Sequence, residues 1–384
     1  MKRLIRAFDD SLKQALENKM KKMHITENEG LLPPEVRLIV TLPRYIRANL
    51  LKCSLQEASE ELGATISGIE KNDIKQDDVV YDLLVLPGKV NEQVAIHPWV
   101  ESGSLVLQDK SSCLPATAAY ALIQSMMKSD TCTSFNIVDC CAAPGNKTTH
   151  LASLLSQLTR FNGRILACEK DSKRCQLLRS RVSNANAANV DILNMDFFRI
   201  DCSNPDFNKA KIVLVDPSCS GSGMVHRLDF ALDKINGAGK TQSRIFHKKS
   251  YGNTVRDHKL PTVEENDEPT SLEAIDTERV KQLSDFQKRI LSHALSFPNV
   301  EYVLYSTCSL HKEENEDVIA SVLEELSTAD RSVEVVDVLP HWPRRGIEHP
   351  TLSKSETGKM VRVNPYEDNA SGFFLALLHV KRKL

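Results

Sequence analysis

The chain has 384 residues, of which 41% are hydrophobic and 26% charged, and its formal net charge is −2. This length is enough for two domains, and the composition is that of a soluble globular protein, not of a disordered or fibrous one. The near-neutral charge gives no chain-wide sign of nucleic-acid binding, no apolar stretch is long enough to cross a membrane, and the first residues lack the apolar core of a secretory signal.

The N-terminal part differs in pattern from the rest of the chain. Residues 1–52 carry 11 Lys and Arg against 6 Asp and Glu, which predicts a local patch facing phosphate groups. The stretch "LPRYIRANLLKCSLQEASEELGATI" has the pattern of a strand followed by a helix. We therefore expect a smaller α/β domain over residues 1–100 and a larger domain over residues 101–384.

From Asn136 onward, short apolar runs alternate with helical patterns. The strand-like runs are "NIVDCCA", "GRILACEK", "VDILNMD", "KIVLVD", "VEYVLYST", "VEVVDVL" and "GFFLALLHV". This alternation predicts a doubly wound α/β fold with a mostly parallel sheet of seven strands, whose ligands bind at the carboxyl ends of the strands. Residues 236–268 are polar and without periodicity, which predicts a long mobile loop.

A turn rich in small residues, "DCCAAPGNKTTHLA", joins the first of these strands to its helix. Such a turn lets the backbone approach a ligand, and the helix N-terminus offers free N–H groups. The turn matches neither of the glycine-rich phosphate motifs, so a nucleoside that carries a carboxylate fits it better. Glu169 ends the second strand, where an acid suits ribose hydroxyls, and Asp196 ends the third, where it can accept from an adenine amino group. The layout predicts an S-adenosylmethionine site, with a dinucleotide dehydrogenase as the alternative.

The ten cysteines include no CxxC pair and come with no histidine cluster, so we expect no metal site and mostly core thiols. Two of them stand apart. Cys219 lies in "VDPSCSGSGM", which opens with Asp216 after the fourth strand, and Cys308 lies in "YSTCSL" after the fifth. Methyl transfer to carbon 5 of a pyrimidine needs such a set, because a thiolate must add to C6 and an acid must protonate N3 before the weakly nucleophilic C5 reacts.

These motifs resemble those of the Sun-domain (Nop2/Sun) family of RNA cytosine-C5 methyltransferases. The stretches "CAAPGNKTTHLA", "VDPSCSGSGM" and "YSTCSLHKEENEDVI" match its cofactor, base and nucleophile motifs, and the resemblance covers about residues 40–384. Ser218 stands where the family usually has a proline. This variant, together with "NKT" in the cofactor loop, resembles the eukaryotic branch that methylates a cytosine of large-subunit ribosomal RNA.

The resemblance implies a Rossmann-like S-adenosylmethionine-dependent methyltransferase fold with a smaller N-terminal RNA-binding domain. It implies that Cys308 is the nucleophile, that Cys219 assists release of the covalent adduct, and that Asp216 contacts the N3/N4 edge of the base. The cofactor-binding residues that it implies are Cys141, Ala142, Ala143, Pro144, Gly145, Asn146, Lys147, Glu169, Arg174, Asp196 and Asp216. The candidates for contact with RNA phosphate are Lys110, Arg44 and Arg47.

The expected function is methylation of cytosine C5 in large-subunit rRNA, free or within a preribosome, in the nucleus and nucleolus. We expect a monomer that binds RNA and no membrane. One alternative is the same chemistry on tRNA or another RNA, and a second is a non-catalytic RNA-binding factor for ribosome assembly. The presence of Asp216, Cys219 and Cys308 argues against the second alternative, because a scaffold needs no pair of thiols. A DNA methyltransferase fits least, since its motif order differs.

Overall fold

The structure is a computed structural model, and it describes residues 42–129, 134–201, 204–224, 272–326, 331–365 and 367–382. From Pro43 onward the described residues belong to one compact unit, which contains two β-sheets. The expected loop at 236–268 and the basic residues that precede residue 42 lie outside the described residues. The expected domain boundary near residue 100 stays a prediction. Across the described part of the chain, no helix combines the length and apolarity that a membrane crossing requires.

The smaller sheet is antiparallel, with its four strands in the order β2-β3-β1-β4. Its strands are β1 (Arg44–Ala48), β2 (Lys75–Gln76), β3 (Leu83–Leu86) and β4 (Leu105–Leu107). Its helices are α1 (Leu55–Thr65), α2 (Asn91–Ala95) and α3 (Pro98–Glu101). The prediction of a strand followed by a helix is confirmed. Ser54 caps α1, because its hydroxyl accepts from the Glu57 N–H while the Glu57 carboxylate accepts from the Ser54 N–H.

The larger sheet has eight strands, seven in the order β10-β12-β9-β8-β5-β6-β7 and an eighth, β11, paired with β12. The strands are β5 (Asn136–Asp139), β6 (Ile165–Cys168), β7 (Val190–Leu193), β8 (Ala210–Val215), β9 (Tyr302–Thr307), β10 (Arg331–Val336), β11 (Val361–Val363) and β12 (Phe373–Arg382). Strands β5 to β9 pair in parallel, and the last three pair antiparallel. The predicted mostly parallel sheet is confirmed, with β11 added to the seven strands expected.

Helices cover both faces of this sheet. They are α4 (Lys110–Ser129), α5 (Asn146–Leu155), α6 (Ser172–Asn184), α7 (Pro205–Asn208), α8 (Leu272–Leu295), α9 (Glu316–Leu326) and α10 (Lys354–Thr357). The sequence analysis makes no prediction for α4, which contains Pro115, although proline usually ends a helix. The helix nevertheless continues and packs on α5.

The central strands read as unbroken apolar runs because both of their faces are buried. In β8, Ile212 and Leu214 pack in the core on one face of the sheet, whereas Val213 and Val215 pack in the core on the other. The strand is thus held by packing on both faces of the sheet. The loops that leave the carboxyl ends of β5, β6, β7, β8 and β9 are therefore held at one edge of a rigid sheet.

Candidate active site

Two loops from distant parts of the chain bring their cysteines together at the carboxyl edge of the larger sheet. Strand β8 ends at Val215 and β9 ends at Thr307. Because β8 and β9 are parallel neighbours, the segments that follow them leave the same edge. The Sγ atoms of Cys219 and Cys308 lie 3.0 Å apart, and both residues are half-buried. The structure thus joins the two cysteines that the sequence analysis singles out.

Close backbone contacts hold the loop of Cys219 against the rest of the sheet. The Gly223 N–H donates to the Cys308 carbonyl at 2.9 Å, and the Gly372 N–H donates to the Gly223 carbonyl at 2.7 Å. A Cβ atom on Gly223 would lie 2.2 Å from the Gly372 carbonyl oxygen, so this approach requires glycine. Gly221 turns the same loop with a φ of 72°, a conformation that L side chains rarely adopt.

Glu314 is not among the predicted site residues, yet its buried carboxylate anchors the same loop. Its Oε1 accepts from the Ser220 N–H at 2.8 Å and from Gln287 Nε2 at 3.0 Å, and its Oε2 accepts from Ser220 Oγ at 2.5 Å. Three donors compensate for the loss of water around a fully buried carboxylate. The only sequence signal for this role is the acidic run "KEENED". The favourable effect of acids at a helix N-terminus explains such a run equally well.

Asp216 connects the thiols to the cofactor turn. Its Oδ2 lies 2.8 Å from Lys147 Nζ, and its Oδ1 accepts from Ser306 Oγ at 2.7 Å. Lys147 belongs to the first turn of α5, directly after the turn of small residues. Burial lowers the pKa of Lys147, but the Asp216 carboxylate outweighs this effect and leaves the pKa raised. Lys147 therefore keeps its positive charge at neutral pH.

The two thiols differ in acidity. The hydrogen bond from Cys219 lowers the pKa of Cys308, although burial opposes this, and the positive charge of Lys147 adds to the effect. The same contact, together with burial, raises the pKa of Cys219 far above its ordinary value. One proton shared between the two sulfurs thus favours Cys308 as the thiolate and Cys219 as the hydrogen-bond donor. A thiolate is the nucleophilic form of cysteine.

The turn of small residues between β5 and α5 is held in place from α6. Gly145 has a φ of 106°, and a Cβ atom there would approach Leu178 Cδ1 to 2.9 Å. Arg174 Nη2 donates to the Ala143 carbonyl at 2.5 Å, and Arg181 donates to the Asn146 side-chain oxygen. Arg174 therefore supports the turn.

The two predicted nucleoside-binding acids lie beside this turn, at the ends of the next two parallel strands. Glu169 is buried, with Oε1 accepting from the Asp171 N–H at 2.8 Å and Oε2 3.4 Å from Arg174 Nη1. Asp196 follows β7, and its Oδ1 accepts from the Phe198 N–H at 3.1 Å. Their carboxylate oxygens are acceptors of the kind that hydroxyl and amino groups of a nucleoside require.

One predicted phosphate contact is wrong. Arg47 is only 1% exposed, and it donates from Nε to Gln108 Oε1 at 3.0 Å and from Nη2 to Thr149 Oγ1 at 3.4 Å. A guanidinium buried in this way cannot reach an RNA backbone, and it instead ties β1 to α5. Lys110 Nζ forms an ion pair with Asp77 Oδ2 at 2.8 Å, and Arg44 is half-buried at the start of β1. Contact of these two residues with RNA stays a prediction.

Asp139 at the end of β5 is a buried acid behind the site. It is 2% exposed, and its Oδ2 accepts from Thr148 Oγ1 at 2.7 Å. Burial raises its pKa from the ordinary 3.8 to about 6, although the hydrogen bond from Thr148 opposes this shift. The carboxyl is thus held in the cofactor turn at a cost to stability that depends on pH.

Comparison with known proteins identifies a family model and several relatives that match this chain. The family model described as 16S rRNA methyltransferase RsmB/F matches residues 127–236 and 271–379. The 25S rRNA (cytosine-C(5))-methyltransferase of Arabidopsis thaliana is 35% identical over 89% of this chain and 50% of that protein. Its counterpart in Schizosaccharomyces pombe is 34% identical over 90% of this chain and 65% of that protein. The chain thus spans about half to two thirds of these relatives' length.

A solved structure shares the fold. The crystal structure of a methyltransferase homolog protein from Pyrococcus horikoshii aligns with a TM-score of 0.57 at 24% identity, covering 91% of this chain and 90% of that chain. At this level of identity the similarity establishes the shared Rossmann-like fold and no more.

Replacing Asp139 with Asn should stabilise the protein at neutral pH. Because burial raises the folded-state pKa to about 6, the carboxyl is protonated in both the folded and the unfolded state below its ordinary 3.8. The penalty for its buried charge grows between pH 3.8 and about 6 and is constant above that. The advantage of the variant in unfolding free energy should grow from near zero at pH 4 to about 3 kcal/mol at pH 7.

Chemical denaturation across this pH range measures the difference. The exposed Asp206 offers a matched control, because Asp206→Asn removes a carboxylate that already lies in water. A stability difference for Asp139→Asn that does not change with pH would contradict the assignment.

Proposed function

Because the chain belongs to the 16S rRNA methyltransferase RsmB/F family, we propose that it transfers a methyl group from S-adenosylmethionine to C5 of a cytosine in large-subunit ribosomal RNA. The contact of 3.0 Å between the Sγ atoms of Cys219 and Cys308 carries the proposal, because covalent chemistry on a pyrimidine needs both a thiolate and a group that assists its release. The substrate rests on the proteins that are 35% and 34% identical, both named as acting on 25S rRNA. A nuclear and nucleolar location follows from this substrate.

The residues present fit S-adenosylmethionine. The turn over residues 141–147 brings backbone and small side chains to the carboxyl edge of the sheet, and Glu169 and Asp196 offer acceptors for ribose hydroxyls and an adenine amino group. Arg174 holds the turn, and Asp216 lies between it and the thiols. When bound, the cofactor supplies an electrophilic methyl group next to the base.

Cys308 acts first, as the nucleophile. Its thiolate adds to C6 of the cytosine, which pushes electron density toward C5 and N3. Asp216 accepts from the exocyclic amino group, and the Lys147 ammonium, 2.8 Å from Asp216 Oδ2, gives up the proton that passes through this carboxylate to N3. The ring then carries the electron pair at C5 that the methyl transfer requires.

Cys219 acts in the release step. Its pKa is raised chiefly by its hydrogen bond to Cys308, and that bond is lost once Cys308 is a thioether. Cys219 then loses its own proton to solvent more readily, and its thiolate takes the proton from C5. The C6–S bond breaks, Cys308 leaves as a thiolate, and the proton on N3 returns through Asp216 to Lys147. The proton on Cys219 restores the original contact between the two sulfurs. A non-catalytic scaffold would have no use for this arrangement.

Cysteine variants separate the two roles. Cys308→Ala should lower methylation by roughly three orders of magnitude or more and form no covalent adduct with RNA, because the nucleophile is gone. Cys219→Ala should still add to the base but release it slowly, so a protein–RNA adduct should accumulate on denaturing gels. Cys175→Ala, which changes a thiol inside α6, is the control and should behave as wild type. Exchanged behaviour of the first two variants would reverse the assigned roles.

Bisulfite sequencing of RNA tests the substrate. Cells that lack the protein should lose 5-methylcytosine at one position of large-subunit rRNA, and re-expression of the wild type, but not of Cys308→Ala, should restore it. A loss confined to tRNA would contradict the rRNA assignment while leaving the chemistry intact. Unchanged methylation in every RNA would reject the proposed function.

A further inference from the structure

Two apolar side chains that the mechanism does not use lie near the thiols and face solvent. Met224 is 46% exposed and Leu310 is 41% exposed. Leu310 follows Cys308 by two residues, and Met224 lies on the loop of Cys219. A single exposed apolar side chain needs no explanation. Two exposed apolar side chains on the loops that carry the catalytic cysteines do need an explanation, since a nucleobase has to reach these thiols.

The backbone around Leu310 is fixed on several sides. Its N–H donates to Ser222 Oγ at 2.9 Å, and its carbonyl accepts from Arg362 Nη1 at 3.0 Å. The next residue of the other loop, Gly223, donates to the Cys308 carbonyl at 2.9 Å. These hydrogen bonds hold the segment that contains Cys308 and Leu310 next to the segment that leads to Met224. The two side chains are thus presented by a rigid pair of loops.

The Leu310 side chain lies on glycine backbone. A Cβ atom on Gly372 would come within 2.6 Å of Leu310 Cδ2, so the absence of a side chain there makes room for the leucine. Gly372 in turn is hydrogen-bonded to Gly223, which precedes Met224. Leu310 is therefore supported from beneath by backbone atoms, and two fifths of its surface stays in solvent.

We propose that Leu310, with Met224 on the loop hydrogen-bonded to it, contacts the RNA base next to the extruded cytosine and covers the face that this base exposes when the cytosine leaves the stack. The inference rests on the proposed function. Extruding a base from a stack costs a few kcal/mol, and proteins that unstack nucleic acids commonly insert Leu, Ile, Met or Phe at the disrupted step. An aliphatic side chain two residues from the nucleophile is placed to do this.

The exposed residues that follow Leu310 include one cation, Lys312, and one acid, Glu313. Lys312 is exposed two residues further on, at the start of a short 3₁₀ helix. A cation at this distance from an apolar contact suits the phosphate of a nucleotide whose base meets Leu310. Lys312 also separates the exposed leucine from the buried Glu314, which belongs to the loop anchor.

The test uses two RNAs that contain the cytosine mapped by bisulfite sequencing. In one RNA the cytosine is base-paired and stacked in a stem, and in the other it lies in an unstructured single strand. Leu310→Ala should lower kcat/KM on the stem RNA by roughly tenfold or more, as loss of a buried leucine contact predicts, and should change the single-stranded RNA little. Affinity for the stem RNA without S-adenosylmethionine should fall in parallel. Leu310→Met, which keeps the apolar volume, should restore both.

Leu177 provides the control, because it is a leucine that is 40% exposed and lies on α6 of the larger sheet, so Leu177→Ala should leave both RNAs unaffected. Equal losses on the two RNAs in Leu310→Ala would overturn the inference and assign Leu310 to loop structure. An unchanged Leu310→Ala enzyme would overturn it as well. A wild-type protein that methylates neither RNA would instead show that the proposed function is wrong, and the inference would fall with it.

Discussion

The contact of 3.0 Å between the sulfurs of Cys219 and Cys308 is the interaction on which the site depends. Two thiols this close cannot both ionise at neutral pH, so a single proton divides their roles. The positive charge of Lys147 favours the thiolate at Cys308, and Cys219 keeps the proton. The contact exists because β8 and β9 are parallel neighbours and both end at the same edge of the sheet.

The supports of this contact come from parts of the chain that carry no chemistry. The buried Glu314 carboxylate accepts three hydrogen bonds in place of water, and these bonds fix the loop of Cys219. The antiparallel end of the sheet contributes Gly372, which precedes β12 and bonds to Gly223. Glu316, fully buried, accepts two hydrogen bonds from Arg362 on β11, the strand that pairs with β12. The segment after Cys308 thus has two roles: it anchors neighbouring parts of the site, and it begins a helix.

The sequence predicts the parts of the site that follow from local pattern. Asp216, Cys219 and Cys308 all lie at strand ends, and the parallel order of the strands requires such ends to meet at one edge. Glu314 could not be predicted in its role, because its partners Ser220 and Gln287 lie far away in the chain. An acid before a helix N-terminus is also favourable when it is exposed to water, so the sequence around Glu314 does not show that this residue is buried.

Arg47 shows the opposite error. An arginine in a basic segment resembles a surface cation, but residues from three other segments, Gln108, Thr149 and Asp82, surround it in the folded chain. The sequence analysis makes no prediction for helix α4, whose sequence contains Pro115, a residue type that usually ends a helix. Sequence analysis thus fails in two situations. One is a polar side chain buried by residues that are distant in the chain, and the other is a helix that tolerates a residue that usually ends one.

The most direct test of the account is to locate the covalent bond between protein and RNA. With 5-fluorocytidine at the target position, fluorine replaces the proton that must leave C5, so the adduct cannot be released after methyl transfer. Mass spectrometry of the digested adduct should find the nucleotide on the peptide that contains Cys308. A nucleotide attached to Cys219, or no adduct with an RNA that the protein methylates, would contradict the account.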